Sequence, residues 1–267
     1  MLVVISPAKR LNWDVECPAP PTLPEFHDDA VVLAQITKRL GADGLRKLMR
    51  ISPSLSELNQ ARFEAFNEDP ETEGARPAAL AFAGDTYIGL DSSSLEPEEW
   101  QRAQTHLRIL SGLYGLLRPL DLFQAYRLEM GSKLQTPVAA NLYEYWGDRI
   151  SRTLNEIAEH TSSRFLLNCA STEYFGAVDQ ETLRIPVVTP VFLEERDGST
   201  RILSFWAKRA RGAMARFMIQ NRIEDAEDIQ GFETGGYRYN PWRSTPERPV
   251  FVRPYPETSV PERRLAS

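Results

Sequence analysis

Apolar and polar positions alternate along this chain in blocks of two kinds. "LVVIS" at residues 2–6 is a continuous branched apolar run, the pattern of a short strand covered on both faces. Pro7 limits its continuation and delivers Lys9 and Arg10 to a loop at the strand end. From Phe26 the period changes to that of a helix through "DDAVVLAQITKRL", with Gly41 as its stop, and "GADGLRKLMRI" predicts a second short helix. "SPSLSELNQARFEAFNE" opens with a serine–proline pair suited to helix initiation and repeats apolar residues at helical spacing.

Further on, "ALAFAGDTYIGL" predicts a bent strand or two short ones. "SSSLEPEEWQRAQTHLRIL" predicts a helix whose early acids suit its dipole, ending near Gly112. On that reading "SGLYG" is the turn after a helix. "NLYEYWGDRISRTLNEIAEH" predicts a helix bent near Gly147, and "SRFLLNCAS" a central strand. A hairpin turning at Asp197–Gly198 follows, then the basic helical run "AKRARGAMARFMIQNRI" and a last strand at "VFVR". The alternation gives a mixed α/β or α+β fold in one compact unit, residues 1–255, with a flexible tail at 256–267.

Composition narrows the picture. Of 267 residues 42% are hydrophobic, enough for one substantial core. No apolar run is long enough to span a bilayer, and no export signal is visible, so the expectation is a cytoplasmic protein with no membrane partner. Cys17 and Cys169 and the three histidines are scattered, which predicts no metal site and no cofactor. The formal charge of -6 gives no global attraction to nucleic acid. Residues 201–222, however, hold six cations and no acid, so a local basic surface is available to phosphate.

Candidate chemistry is sparse. There is no phosphate-binding P-loop, no serine elbow and no His-Glu-x-x-His helix. Gly112 and Gly115 can expose backbone amides to phosphate oxygens, with Arg108 and Arg118 adding charge; the same residues suit a packed turn. Arg127 and Glu129 share a face if extended and are expected to pair. Asn168 and Ser171 can serve a cleft or cap a short helix, and Cys169 suits a buried position. Lys208, Arg209 and Arg211 present charge on the basic helix, with "SFW" before them either contacting a base or anchoring the helix.

Long ordered blocks resemble the YaaA family, which is associated with peroxide stress in bacteria. They are "ISPAK" at 5–9, "LMRIS" at 48–52, "HLRILSGLYGLLRPLDLFQAYRLEMG" at 106–131, "LYEYWGD" at 142–148, "NCASTEYF" at 168–175, "PVFLEE" at 190–195, "ILSFWAKRARG" at 202–212 and "GFETGGYRYN" at 231–240. The resemblance implies a cytosolic protein that limits oxidative damage and is linked to restraint of free iron. It also implies DNA binding through a positively charged cleft and a helix-hairpin-helix-like element near Leu107–Leu120. Lys9, Arg118, Arg127, Lys208, Arg209 and Arg211 match basic positions of the family blocks.

The resulting expectation is backbone-directed binding of duplex or distorted DNA. One alternative is an enzyme acting on a phosphorylated or nucleotide-like small anion, using Ser6, Lys9, Arg118, Arg127, Glu129 and Asn168. The other is a non-catalytic stress-associated scaffold.

Overall fold

The computed structural model describes residues 1–256; the expected tail lies, apart from Pro256, outside the described residues. A five-stranded sheet forms the centre. Its strands are β1 (Leu2–Ile5), β2 (Leu107–Ser111), β3 (Gly115–Leu117), β4 (Leu166–Cys169) and β5 (Val187–Val188), in the order β3-β2-β1-β4-β5. β1 runs parallel to β2 and β4, with Ile5 level with both Ile109 and Cys169. β5 continues the parallel set and β3 alone is antiparallel. Every residue of β1, β2 and β4 is buried, so helices and loops cover both faces, as their unbroken apolar runs require.

A second sheet uses β6 (Val191–Arg196), β7 (Ser199–Arg201), β8 (Arg238–Tyr239) and β9 (Val250–Pro254), in the order β7-β6-β9-β8. The β6–β7 hairpin turns at Asp197 and Gly198, both with positive φ (52° and 75°), which matches the twist a two-residue turn needs. Between β1 and residue 65 the chain forms α1 (His27–Lys38), α2 (Gly41–Met49) and α3 (Pro53–Glu64). The Ser52 hydroxyl accepts from the Leu55 amide and Pro53 opens α3, a cap contributing about 1 kcal/mol.

The long basic helix, Ser204–Asn221, crosses the short helix Asp85–Leu90 at two glycines. A Cβ on Gly212 would lie 1.7 Å from the Thr86 carbonyl oxygen, and one on Gly89 2.0 Å from that of Arg209. No side chain fits between these backbones.

Two expectations are corrected. Residues 78–90 are helical at Ala78–Ala81 and Asp85–Leu90, with only Phe82–Ala83 in a strand. Packing of Gly89 against the long helix selects that form over the local strand preference. The helix after Pro97 ends at His106, not near Gly112, because Leu107–Ser111 leaves it to pair with β1. Leu107–Leu117 is therefore a strand–turn–strand at one side of the sheet, not two helices about a hairpin.

Candidate functional site

The parallel strands set the site. In open α/β sheets the carboxyl ends of strands border the crevices where ligands bind. β1 ends at Ile5 and β4 at Cys169, side by side, so the segments following them meet. The Ser6 hydroxyl accepts from the Ser171 amide (2.8 Å) and donates to the Ser171 hydroxyl (3.3 Å). Tyr87 donates its hydroxyl to the Ser6 carbonyl (3.2 Å). Asn168 accepts from the Ala170 amide (3.0 Å) and donates to the Thr189 hydroxyl (3.3 Å). Ser171 also accepts from the Tyr174 amide at the start of the short helix Thr172–Phe175. Ser6, Asn168 and Ser171 thus fix the loops at the strand ends.

Lys9 is carried by the same β1 exit. Its Nζ lies 3.3 Å from Glu129 Oε1, and Arg127 places Nε and Nη2 on that same oxygen, each at 3.0 Å. The other carboxylate oxygen, Oε2, is buried and has no hydrogen-bond partner. The expected Arg127–Glu129 pair is present, and Lys9 makes it a triad. Arg62 stands close enough that the Arg127 charge lowers its pKa further below the ordinary value, burial being the larger cause.

This triad borders an open cleft of about 710 Å³. Lys47 from α2, Arg50 at the end of α2 and Lys133 line it beside Lys9, with Glu129 and Glu173 as the acidic side chains. Glu173 is occupied in part, accepting from the Gly131 amide at 3.1 Å. Lys47, Arg50 and Lys133 are exposed, and none has an ion-pair partner among the described residues. Four cations against two carboxylates leave the lining cationic.

Lys47, Arg50 and Lys133 are absent from the sequence-derived candidates. Lys47 in the last turn of α2 and Arg50 at its C-cap suit the helix dipole whatever they face, and Lys133 lies in a loop, so nothing local marks them. Their convergence with Lys9 is a product of tertiary structure.

The remaining candidates lie elsewhere. Arg108 is buried and folds back on its own chain, donating to the carbonyls of Gln104 (2.9 Å) and Leu107 (2.8 Å); burial holds its pKa down at about 10. Gly112 has room for no Cβ, since one would sit 2.3 Å from the Leu128 carbonyl oxygen. Gly115, at φ 62°, packs on the Trp146 ring. Arg118 binds Asp121 (2.9 Å) and the Leu23 carbonyl (2.7 Å). These four residues hold the hairpin in the core, and they do not line the cleft.

Lys208 and Arg209 are exposed on the long helix. Arg211 is half-buried, with burial lowering its pKa, and its charge acts on the Cys169 thiol. Even so, burial pushes that thiol up to about 12, so Cys169 is not an activated thiolate. Among the described residues no group of three or more His, Cys, Asp or Glu side chains could hold a metal ion, and no helix is long and apolar enough to cross a membrane.

The fold is a mixed α/β unit, with an open cleft lined by four basic and two acidic side chains. The chain belongs to the family described as peroxide stress protein YaaA, whose model matches residues 1–243. It is 61% identical to a UPF0246 protein of Dinoroseobacter shibae over the full length of both chains. UPF0246 proteins of Roseobacter denitrificans and Ruegeria pomeroyi are 57% and 56% identical, each across 96% of this chain and 99% of the relative. Family membership links the chain to the response to peroxide and oxidative stress.

Proposed function

We propose that this chain serves the peroxide response by binding DNA through its phosphates in the cleft lined by Lys9, Lys47, Arg50 and Lys133. The observation that carries the reading is the convergence of these cations, from three separate segments, on one open cleft. Exposed cations without acidic partners suit a polyanion that displaces counterions as it binds. Contacts of this kind follow the backbone and leave base identity unread. The cleft has the volume of a small-molecule site, so it takes one strand in place of a duplex cross-section. Single-stranded and bubbled DNA are the preferred forms on this reading. Lys208 and Arg209 extend the contact as supporting charges.

Binding of single-stranded, bubbled, junction and duplex DNA to the full chain tests this. Charge reversal at Lys47 and Arg50 together is expected to weaken binding at least tenfold while the fold persists. Absence of binding by the wild-type protein even at low salt would overturn the reading.

A second reading, a small phosphorylated ligand, is favoured by the Lys9–Glu129–Arg127 triad. The unpartnered Glu129 oxygen can accept a hydrogen bond, or a proton, from a ligand whose phosphate rests on the outer cations. Stabilisation of the wild type, but not of Glu129→Gln, by nucleoside monophosphates in a thermal melt would support it; equal melts would count against it.

A further inference from the structure

One side chain is exposed where an aromatic is seldom left. Trp242 is 95% exposed, although an indole has a large apolar surface to bury. The residue is also held in place. Asn240 receives the Arg243 amide on its side chain (3.2 Å) and sends its own amide to the Val250 carbonyl (2.8 Å). The Ser244 hydroxyl donates to the Asn240 carbonyl (2.7 Å) and accepts from the Val250 amide (2.8 Å). Thr245 and Arg248 close the following turn with reciprocal amide–carbonyl bonds (3.2 and 3.0 Å). Pro241 opens the turn, and β8 and β9 anchor it at both ends. The indole therefore stands on a rigid platform.

The segment that carries the indole is positively charged. Arg238, Arg243 and Arg248 are exposed and have no ion-pair partner among the described residues, against one acid, Glu247, in residues 238–248. This island stands on a chain of formal charge -6. Trp242 is the one exposed large hydrophobic side chain among residues 203–256.

We propose that Trp242 is a stacking platform for an unpaired base of single-stranded DNA, with Arg238, Arg243 and Arg248 engaging the flanking phosphates. An exposed ring beside cations meets both demands of a single strand: a π-face for a base and charge for the backbone. None of these residues lines the cleft, so this is a second contact surface. The inference rests on the reading of the chain as a DNA binder, and the surface applies only to unpaired bases.

Fluorescence titration with a short pyrimidine oligonucleotide provides the test. Of the five tryptophans, Trp100 and Trp146 are buried and Trp13 and Trp206 half-buried, so quenching by a stacked base reports on Trp242. The expected result is quenching in the wild type that disappears in Trp242→Phe, whose affinity stays within about threefold. Trp242→Ala is expected to lose roughly tenfold in affinity for single strands and little for duplex. Arg243→Ala, which leaves the indole in place, should lower the salt dependence while quenching persists. Wild-type binding with unchanged affinity in Trp242→Ala would overturn the stacking platform and leave the cleft reading standing; no binding by the wild type would remove both. Concentration-dependent self-association abolished by Trp242→Ala, with DNA affinity intact, would instead make this a protein interface and overturn the proposal.

Discussion

Glu129 and Glu194 are both set against arginine, yet their surroundings differ. Glu194 is fully buried in β6, where one oxygen meets Arg253 (3.4 Å) and the Tyr237 hydroxyl and the other accepts from the Leu203 amide (3.0 Å) at the start of the long helix. Arg253 lies between the rings of Trp206 (4.4 Å) and Tyr237 (4.6 Å). That network ties the second sheet to the helix with both carboxylate oxygens in use. Glu129 has both its cations on one oxygen and the other left over, beside an open cleft. The difference lies in the carboxylates: both oxygens of Glu194 are engaged, and one of Glu129's is not. Arg253 is itself incompletely paired, its Nε and Nη2 buried with no hydrogen-bond partner, so the two sites differ at the carboxylate and not in overall completeness.

The comparison can be broken most forcefully at Glu194. Glu194→Ala leaves the Arg253 charge buried and uncompensated, and is expected to cost about 3–5 kcal/mol in denaturant unfolding. Glu129→Gln should cost less than Glu194→Ala, because Lys9 is 66% exposed and the glutamine oxygen still accepts from the largely buried Arg127. Equal losses would erase the distinction.

Chemical labelling sharpens the contrast between core and rim. At neutral pH a thiol reagent should modify exposed Cys17 in the native protein and reach Cys169 only on unfolding, since that thiol is buried and its pKa is raised by burial. Comparable rates at both sites would show that the strand-end loops open readily.

The smallest effect concerns the opposite end of β1. His106 shares its Nδ1 proton with the Met1 carbonyl (2.8 Å), and burial, then the N-terminal ammonium, holds its pKa below the ordinary 6.5. The unfolded chain therefore binds the proton more readily. The stability this group contributes is complete above about pH 6.5 and falls as pH drops below it. His106→Gln should make the acid-side loss of stability shallower in unfolding curves taken across that range.

Much of this fold could be read from the chain where local and tertiary preferences agree. The apolar run at Leu2–Ile5, the Ser52-capped helix, the Asp197–Gly198 hairpin and the long basic helix all carry their own signals. Leu107–Ser111 did not, because a short apolar run directly after a helical segment continues its period; pairing with β1 ends the helix at His106. The site divides the same way. Arg127 and Glu129 are two residues apart and their pairing follows from alternation. Lys47, Arg50 and Lys133 reach the cleft through the packing of α2 and of the loop after Met130, which no spacing along the chain encodes.

The salt dependence of single-stranded DNA binding tests the cationic cleft most directly. Each phosphate contact on a single strand contributes a slope of about -0.7 in log affinity against log salt. Replacing Lys47 and Arg50 with alanine should therefore flatten the wild-type slope by about 1.4 and weaken binding at every salt concentration. A double variant that unfolds like the wild type and retains both its affinity and its slope would contradict the assignment of the cleft to DNA phosphates.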